Sequence, residues 1–304
     1  MICNERILIT GGTGSLGKAI TAILSDSNEV VVYSRNEERQ FEMQQKINSQ
    51  NITYLIGDIR DKSTLKQALQ GCTLAIHAAA MKDMVMCEKQ PTQCYLNNLE
   101  GSRSFIECIN QSTVRTAIGI STDKASSPTN VYGMTKYIME RMFLEANKHF
   151  KSEFLCLRLG NLIDARGSLI FTWKKNPDQK ISLTHSEVSR FFLTTGEGAK
   201  IVLDVLKKGS AGKIYIPKMK KANIKDILKI ITGKTNFPLI GLFPGEKLHE
   251  TLVSENESQY CFEEGNYFCL DIEKTNPNPL HLFDSGNAEQ LSELELIKMI
   301  YAKE

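Results

Sequence analysis

Short apolar runs alternate with longer amphipathic runs along the first half of the chain. The apolar runs predict strands near residues 6–10, 29–33, 52–56, 73–77, 115–121 and 153–159. The amphipathic runs carry the helical period and predict helices near 15–25, 36–48, 62–70, 92–110, 131–149 and 196–207. Near-continuous apolar strands that alternate with helices are typical of parallel sheets covered on both faces. We therefore expect an α/β fold with a doubly wound parallel sheet.

The pattern changes to shorter units in the second half of the chain. A strand is expected near 213–217, returning to the sheet, followed by a helix over 224–232. Ser292 and Glu295 match a capping box and predict a final amphipathic helix. The segment 255–286 is loop-rich and indicates no regular element. These shorter units predict a smaller C-terminal lobe.

A glycine-rich loop joins the first predicted strand to the first predicted helix. Gly11, Gly14 and Gly17 have the spacing G-x-x-G-x-x-G. Glycines here allow a tight turn and close approach to a pyrophosphate, and the helix start offers oriented N–H groups. The same loop contains Thr13, Ser15 and Leu16. These features predict a Rossmann-like dinucleotide-binding domain in residues 1–160 and a mainly substrate-binding lobe in 161–304.

The tip of the second predicted strand indicates which dinucleotide binds. Ser34 and Arg35 stand there, with no Asp or Glu. A carboxylate at this point would hydrogen-bond the ribose hydroxyls of NAD, whereas an arginine can pair with the 2′-phosphate of NADP. Arg35 therefore favours NADP; the alternative is an ordinary solvated loop arginine.

Further candidate cofactor contacts lie where the third and fourth predicted strands end. Ligands bind along this edge of a doubly wound sheet. Small side chains at the edge let a cofactor lie close to the backbone, although alanines also serve as core residues. The candidates are Asp58, Ile59, Ala78, Ala79 and Ala80.

An acid, a phenol and two amines follow the fifth predicted strand within a short stretch. Thr122, Asp123 and Lys124 end the strand. Tyr132 and Lys136 stand at i and i+4 of the next predicted helix, where they share one face. An adjacent ammonium makes a phenolate easier to form, so this tyrosine can act as a base. The same spacing also occurs in ordinary amphipathic helices, but the preceding strand and the glycine-rich loop favour catalysis.

Composition limits the partners and the compartment. Lys and Arg number 37 against 35 Asp and Glu, so the formal net charge of +2 favours neither nucleic acid nor an anionic membrane. The eight cysteines form no regular framework, which is typical of buried thiols in a reducing cytosol. No secretory signal is expected, and no apolar run approaches the roughly 20 residues of a membrane helix. We expect a cytoplasmic protein without a metal site.

Several motifs are shared with one known family. They include ILITGGTGSLGK, GDIRD, HAAAMKD, STDKA, YGMTK, RLGN, SRFFLT and PGEKLHE. With these motifs the chain resembles an extended short-chain dehydrogenase/reductase, specifically a C5-inverting UDP-N-acetylglucosamine 4,6-dehydratase of polysaccharide biosynthesis. The resemblance covers nearly the whole chain. STDK and PGEKLHE are its most specific motifs.

The resemblance implies a lyase that runs a redox-neutral 4,6-dehydration. A hydride leaves C4 and returns to C6, so NADP stays bound through turnover. Tyr132, helped by Lys136, would take the O4 proton. Lys124 would take the C5 proton, which the 4-ketone acidifies, and Asp123 would protonate the departing C6 oxygen. Thr122 would hydrogen-bond near O4.

Other roles are implied by the resemblance alone. Asn98 matches an asparagine near the nicotinamide, and Lys82 would approach the sugar or diphosphate. Asn161 and Arg190 match positions that contact the nucleotide diphosphate, while Glu246 matches the acid that holds the uridine ribose. The implied partner is a UDP-sugar, and the family implies a homo-oligomer, either a dimer or a hexamer.

The chain departs from the family pattern on the substrate side. Phe243 stands where an arginine usually precedes PGEK, and Leu159 replaces a usual tyrosine. Asp83 stands at a frequent histidine, and the segment 171–173 lacks a common proline. These departures leave the exact sugar nucleotide open.

Two other functions remain as alternatives. A UDP-sugar 4-epimerase or reductase would use the same Tyr132 and Lys136 but would not need Asp123 or Lys124. A non-catalytic NADP-binding protein on this fold would be expected to have lost the tyrosine or the lysine, and both are present. The sequence favours the dehydratase.

Overall fold

A computed structural model describes residues 2–301 and places a long sheet at the centre of the molecule. The strands are β1 Arg6–Thr10, β2 Glu29–Ser34, β3 Ile52–Ile56, β4 Leu74–His77, β5 Thr116–Thr122, β6 Glu153–Leu159, β7 Asn161–Leu162, β8 Ser189–Leu193, β9 Ile214–Pro217, β10 Lys221–Asn223, β11 Thr251–Val253, β12 Cys261–Glu264, β13 Tyr267–Leu270 and β14 Phe283–Asp284.

The α-helices flank this sheet and build part of the C-terminal lobe. They are α1 Ser15–Leu24, α2 Glu37–Lys46, α3 Lys62–Ala68, α4 Met84–Lys89, α5 Pro91–Tyr95, α6 Gly101–Asn110, α7 Val131–His149, α8 Leu169–Lys175, α9 Thr195–Lys208, α10 Ile224–Thr232, α11 Glu255–Ser258 and α12 Glu293–Tyr301. A π-helical turn spans Leu96–Glu100, and a 3₁₀ turn spans Asp123–Ala125.

The order of the strands identifies the fold. Nine strands form the central sheet in the order β12-β13-β9-β6-β5-β4-β1-β2-β3. All pairs from β3 to β9 are parallel, and β13 and β12 are added antiparallel at one edge. The run β3-β2-β1-β4-β5-β6 is the Rossmann order, in which ligands bind where the order reverses, beside β1 and β4. The predicted doubly wound α/β fold is confirmed.

Buried apolar side chains explain why these strands pair in this way. The central strand β1 is buried from Ile7 through Ile9, and its neighbour β2 is buried from Val30 through Val32. A strand covered by helices on both faces reads as such a continuous apolar run. His77 continues the pattern, since its buried ring lies between Thr10 Oγ1 and Ser102 Oγ. Burial lowers the pKa of His77 to about 3, so it is a neutral link between β1, β4 and α6.

Two elements differ from their sequence predictions. The helix expected near 92–110 is divided by the π-helical turn into α5 and α6. The segment 255–286, expected as loop, contains the hairpin β12–β13, which turns at Gly265 with φ of +60° and pairs with β9. The hairpin was missed because its two strands are only four residues each and carry no clear alternation.

The second half of the chain contributes to both parts of the molecule. Helix α9 packs against α1, and β9 joins the central sheet beside β6. The smaller lobe contains the sheets β10-β8-β7 and β11-β14 together with an apolar cluster of its own. At its end, the capping box predicted at Ser292 forms: Glu295 N donates to Ser292 Oγ at 3.3 Å, and Ser292 N donates to Glu295 Oε2 at 2.8 Å. Within residues 2–301, no helix combines the length and apolar character needed to cross a bilayer.

Candidate active site

The glycine-rich loop is shaped to accept a phosphate. Gly11 has φ of +69°, and a Cβ there would lie 2.8 Å from the backbone of Ala78. A Cβ on Gly17 would lie 2.6 Å from Gly12 Cα. Helix α1 starts at Ser15, and among the described residues no side chain caps its first N–H groups. A bare helix start behind a close-packed glycine turn is suited to binding a pyrophosphate, so the predicted dinucleotide fits this loop.

The tip of β2, where the sequence predicts the choice of dinucleotide, carries an accessible cation. The Arg35 side chain is 60% exposed, and its Nη1 donates to Asn97 Oδ1 at 3.0 Å. Asp58, at the end of β3, is held by Arg60 Nη2 at 2.6 Å and lies 3.8 Å from Arg35. Hydrogen bonds from Arg60 lower the pKa of Asp58. The carboxylate is thus already paired, while the Arg35 guanidinium remains open to an anion.

The strand end that follows β4 is held by Asn98. Its side chain accepts from Met81 N at 2.7 Å and donates to Met81 O at 2.9 Å. It also donates to Thr135 Oγ1 on α7. Asn98 therefore ties the Ala78–Ala80 strand end to α7, and its predicted contact with a nicotinamide stays a prediction. Lys82, one residue beyond Met81, is exposed.

The Asp123–Lys124 pair lies at the carboxyl end of β5, where the strand passes into the 3₁₀ turn. Asp123 Oδ1 accepts from Lys124 Nζ at 3.0 Å and from Thr122 Oγ1 at 2.9 Å. The Lys124 ammonium is also 3.4 Å from Oε1 of Glu250, a residue that the sequence reasoning did not single out. Burial opposes the charge on Lys124, but the carboxylates of Asp123 and Glu250 outweigh it and raise the lysine pKa. In this state Lys124 is a cation between two carboxylates.

Two buried oxygen atoms in this group have no partner. Asp123 Oδ2 and Glu250 Oε2 accept no hydrogen bond from any residue among 2–301. Leaving a buried acceptor unsatisfied costs about 1–3 kcal/mol. Such atoms are suited to accept from the hydroxyl groups of a sugar.

Tyr132 lies in the first turn of α7. The charges of Lys124 and Asp123 act on its phenol in opposite directions, and burial raises the pKa of Tyr132 to about 12. The sequence reasoning expected a phenolate made easier by Lys136. In the structure Lys136 Nζ instead donates to Met139 Sδ, and burial lowers the pKa of Lys136 to about 8. The Tyr132 phenol is protonated at neutral pH.

The candidate substrate residues meet on the C-terminal side of this group. Arg190 Nη2 lies 3.0 Å from Glu246 Oε1, and Arg190 Nε lies 3.8 Å from Glu250 Oε1. Asn161, on β7, donates to the Phe191 carbonyl of β8 at 3.3 Å. Arg190 and Glu246 are therefore brought together with the Asp123–Lys124 pair, while Asn161 lies beside them in the small sheet.

A buried ion network holds the residues on both sides of the 3₁₀ turn Asp123–Ala125. Arg158 is fully buried and pairs with Glu140 Oε2 at 2.8 Å and with Glu257 Oε1 at 2.6 Å. Glu140 accepts from Ser121 on β5, and Glu257 accepts from Ser126 just after the turn. Sequence reasoning missed this network because its members are far apart in the chain, with 131 residues between Ser126 and Glu257. Arg158 falls within the RLGN motif, which was the one available signal.

Comparisons with known proteins agree with the geometry. A family described as polysaccharide biosynthesis protein matches residues 7–287. A UDP-N-acetylglucosamine 4,6-dehydratase (inverting) of Campylobacter jejuni is 35% identical, over 89% of this chain and 84% of the relative. A UDP-glucose 4-epimerase of Rickettsia bellii is 30% identical, over 94% of this chain and 88% of the relative.

A solved structure extends the likeness to the whole fold. The X-ray structure of Pen from Bacillus thuringiensis superimposes with a TM-score of 0.92 at 30% identity, covering 99% of this chain and 98% of that one. The expected membership of the extended short-chain dehydrogenase/reductases is confirmed.

Proposed function

This chain belongs to the polysaccharide biosynthesis protein family and is a hydro-lyase of the nucleotide-sugar dehydratase type, and we propose that it converts UDP-N-acetylglucosamine, or a close UDP-HexNAc, to a 4-keto-6-deoxy sugar with inversion at C5. The coarser conclusion, a short-chain dehydrogenase/reductase acting on a UDP-sugar, rests on the relatives as a group. A nicotinamide cofactor is supported by solved structures of the same fold that contain NAD. The proposed product would feed the synthesis of surface polysaccharides or glycans.

The Asp123–Lys124 pair is the observation that carries the proposal. Oxidation at C4 alone requires Tyr132, whereas a dehydration also requires a base for the C5 proton and an acid for the C6 oxygen. A buried carboxylate and amine joined by a 3.0 Å hydrogen bond supply both. A 4-epimerase would have no use for them.

The first step falls to Tyr132. Its phenol is protonated at rest, so it would first release that proton to solvent, and the phenolate would then accept the O4 proton as the sugar is oxidised. A nicotinamide cofactor, held by the Gly11–Gly17 loop, would supply the hydride acceptor for C4 and the hydride donor for C6. Thr122, which donates to Asp123 Oδ1, lies beside the pair at the end of β5. Once its ammonium turns away from Met139 Sδ, Lys136 would help to hold the cofactor beside the Tyr132 phenol.

The second step uses the ion pair in its other proton arrangement. Transfer of one proton along the hydrogen bond from Lys124 Nζ to Asp123 Oδ1 turns the ammonium into an amine and the carboxylate into an acid. The amine then takes the C5 proton, and the acid protonates the departing C6 oxygen as water leaves. The elimination itself needs no external acid or base, since the pair already holds the proton that is used. A proton supplied by solvent to the opposite face of C5 would complete the inversion, and the O4 proton held by Tyr132 would be released to solvent.

The cofactor proposed is NADP. Arg35 supports it, because its exposed guanidinium lies at the tip of β2 while the nearby Asp58 is already paired with Arg60. The loop residues Gly11 to Gly17 would hold the pyrophosphate, and Ala78 to Ala80 would lie against the nicotinamide half.

The nucleotide would lie on the C-terminal side. Arg190 suits a diphosphate because a guanidinium can bind phosphate oxygens in pairs. Glu246 would hold the uridine ribose, with Asn161 and Lys82 at the edge of the same site. Phe243 is exposed, and its N–H donates to Glu246 Oε2. The enzyme is proposed to work in the cytoplasm, where its seven buried, free cysteines would stay reduced.

Product analysis tests this proposal. The purified protein is incubated with UDP-N-acetylglucosamine and the product examined by NMR, and the cofactor released on denaturation is identified by mass spectrometry. A C6 methyl signal, a C4 ketone and an inverted C5 are expected, together with NADP. A 4-epimer with an intact C6 hydroxyl would contradict the dehydratase, and release of NAD alone would overturn the argument from Arg35.

A further inference from the structure

Glu250 enters the active site from a distant part of the chain. It is the last residue of the PGEKLHE motif and precedes β11 in the C-terminal lobe. Its backbone is fixed by Ser285, whose Oγ accepts from Glu250 N at 3.0 Å and whose N–H donates to Glu250 O at 2.8 Å. The side chain is only 2% exposed. Its carboxylate is therefore held in one place by the lobe, independently of β5.

The Glu250 carboxylate is a second anionic partner of Lys124, besides that of Asp123. Lys124 Nζ is 3.0 Å from Asp123 Oδ1 and 3.4 Å from Glu250 Oε1. Asp123 is the neighbour of Lys124 in the chain, so it moves with the 3₁₀ turn. Glu250 is the contact that fixes the amine relative to the C-terminal lobe, where Arg190 and Glu246 also lie.

The two carboxylate oxygens of Glu250 differ, which distinguishes this anchor from a simple structural ion pair. Oε1 lies 3.4 Å from Lys124 Nζ and 3.8 Å from Arg190 Nε, whereas Oε2 is buried and has no partner among residues 2–301. A carboxylate kept only for stability would be expected to have both oxygens satisfied. The unpaired oxygen instead belongs to the carboxylate that contacts Lys124, the proposed base for the C5 proton.

We propose that Glu250 is a positioning residue for the C5 base: it holds Lys124 Nζ at the place where the sugar's C5 hydrogen must arrive. This inference rests on the proposed function. Lys124 has a long, flexible side chain, and with Asp123 alone it would keep one anchor on its own turn. The second anchor sets the distance between the amine and the lobe that holds the nucleotide. The C-terminal lobe thereby completes the proton-transfer site and does not only bind the substrate.

Three variants test the inference. Glu250→Ala removes the anchor, and misplacement of a reacting group by about 1 Å can cost roughly 10²-fold. We expect solvent-deuterium exchange at C5 to fall by about that factor, and reduced cofactor to accumulate because C4 oxidation continues. Glu250→Gln keeps an acceptor oxygen in the same place and should retain most of the exchange. Glu255→Ala, an exposed glutamate of the same lobe, is the matched control and should behave as wild type.

The outcomes separate this inference from its premise. Wild-type C5 exchange in Glu250→Ala overturns it, and so does loss of C4 oxidation together with C5 exchange in a variant whose melting is unchanged. If Glu250→Ala does not fold, Glu250→Asp replaces it: the carboxylate is withdrawn by one methylene, so reduced exchange is again expected and a wild-type rate overturns the inference. Absence of a dehydrated product from the wild-type enzyme would instead defeat the proposed function.

Discussion

At the scale of single residues, the two halves of the proposed reaction depend on different side chains. Under the proposal, Tyr132 would serve C4, because its phenol oxygen would take the O4 proton. Lys124 would serve C5, because proton transfer to the Asp123 carboxylate would free its amine. The roles are chemically separable, since oxidation at C4 needs no base at C5.

This separation predicts different failures for the two positions. Tyr132→Phe should abolish hydride transfer, so neither reduced cofactor nor product forms. Lys124→Ala should leave C4 oxidation possible and stop C5 proton removal, with a loss of about 10²–10⁴-fold in product formation. Reduced cofactor should then accumulate with a 4-keto sugar, visible in the near-ultraviolet absorbance of the nicotinamide.

A matched tyrosine gives the control for this experiment. Tyr137 lies five residues further along α7, where the Arg141 guanidinium packs over its ring, and it has no role in the proposed chemistry. Tyr137→Phe should therefore retain activity. If Lys124→Ala still makes the 6-deoxy-4-keto product near the wild-type rate, Lys124 is not the base.

The sequence could predict one side of this site and not the other. Residues from Thr122 to Lys136 form one short stretch, so strand, turn and helix spacing were enough to group them. Glu250 joins them across more than a hundred residues, through a lobe whose position no local pattern encodes. The rise in the pKa of Tyr132 could not be predicted from the sequence either, because it depends on burial by neighbouring elements.

At the scale of elements, the packing of α7 against the 3₁₀ turn sets the site. Gly133, in the first turn of α7, permits this contact: a Cβ there would lie 2.2 Å from the carbonyl oxygen of Lys124. The helix is capped by Asn130, whose side chain accepts from Gly133 N at 2.8 Å. Both Tyr132 and Lys124 take their places from this one approach.

Gly133→Ala should therefore damage catalysis more than its size suggests. The added methyl must push α7 away from backbone that cannot yield, and a shift of about 1 Å can cost roughly 10²-fold in rate. Reduced kcat in steady-state assays and a lower melting temperature are expected. Gly196→Ala is the control, because a Cβ on that helical glycine of α9 meets nothing within 4 Å. A Gly133→Ala enzyme with wild-type kcat would show that the close approach is not needed.

Long, strongly patterned elements were predictable, and short edge elements were not. The inner parallel strands, such as β1 and β2, appear in the sequence as continuous apolar runs because helices cover both faces. The hairpin β12–β13 pairs only at the sheet edge, and its outer residues Glu263 and Glu264 are exposed, so its pattern resembles a polar loop. The division of helix 92–110 followed from a π-helical turn, which hydrophobic periodicity does not reveal.

At the scale of the whole molecule, several hydrogen bonds join the C-terminal lobe to the segment between the 3₁₀ turn and α7. Lys247 Nζ donates to Ser126 O at 2.9 Å, and Thr129 Oγ1 donates to Gly245 O at 2.9 Å. Although burial alone would raise it, the Arg158 charge lowers the pKa of Glu257 to about 2, so this buried link stays ionised. Breaking one partner of such a buried pair typically costs about 3–5 kcal/mol. The two lobes are therefore expected to act as one unit in catalysis.

One face of this unit is suited to self-association. Helices α4, α5 and α7 pack against one another, and each exposes large apolar side chains to solvent. On α7, Met134 and Ile138 stand at i and i+4 and are 47% and 44% exposed. An apolar patch of this kind can pair with the same patch of a second copy across a two-fold axis. We propose that this face forms a homo-oligomer, as the family resemblance also implies.

Light scattering on matched variants tests this assembly. Wild-type protein is expected above the 34.2 kDa mass of one chain, and Ile138→Glu should shift it towards that mass because a charge would be buried in an apolar contact. Leu294→Glu places the same charge on α12, at a leucine that is 62% exposed, and should leave the assembly intact. A wild-type monomer at working concentration, or an Ile138→Glu protein that keeps the wild-type mass, would rule out this face as the interface. Since Tyr132 lies on the same helix, six residues before Ile138, dissociation is also expected to lower activity by loosening α7.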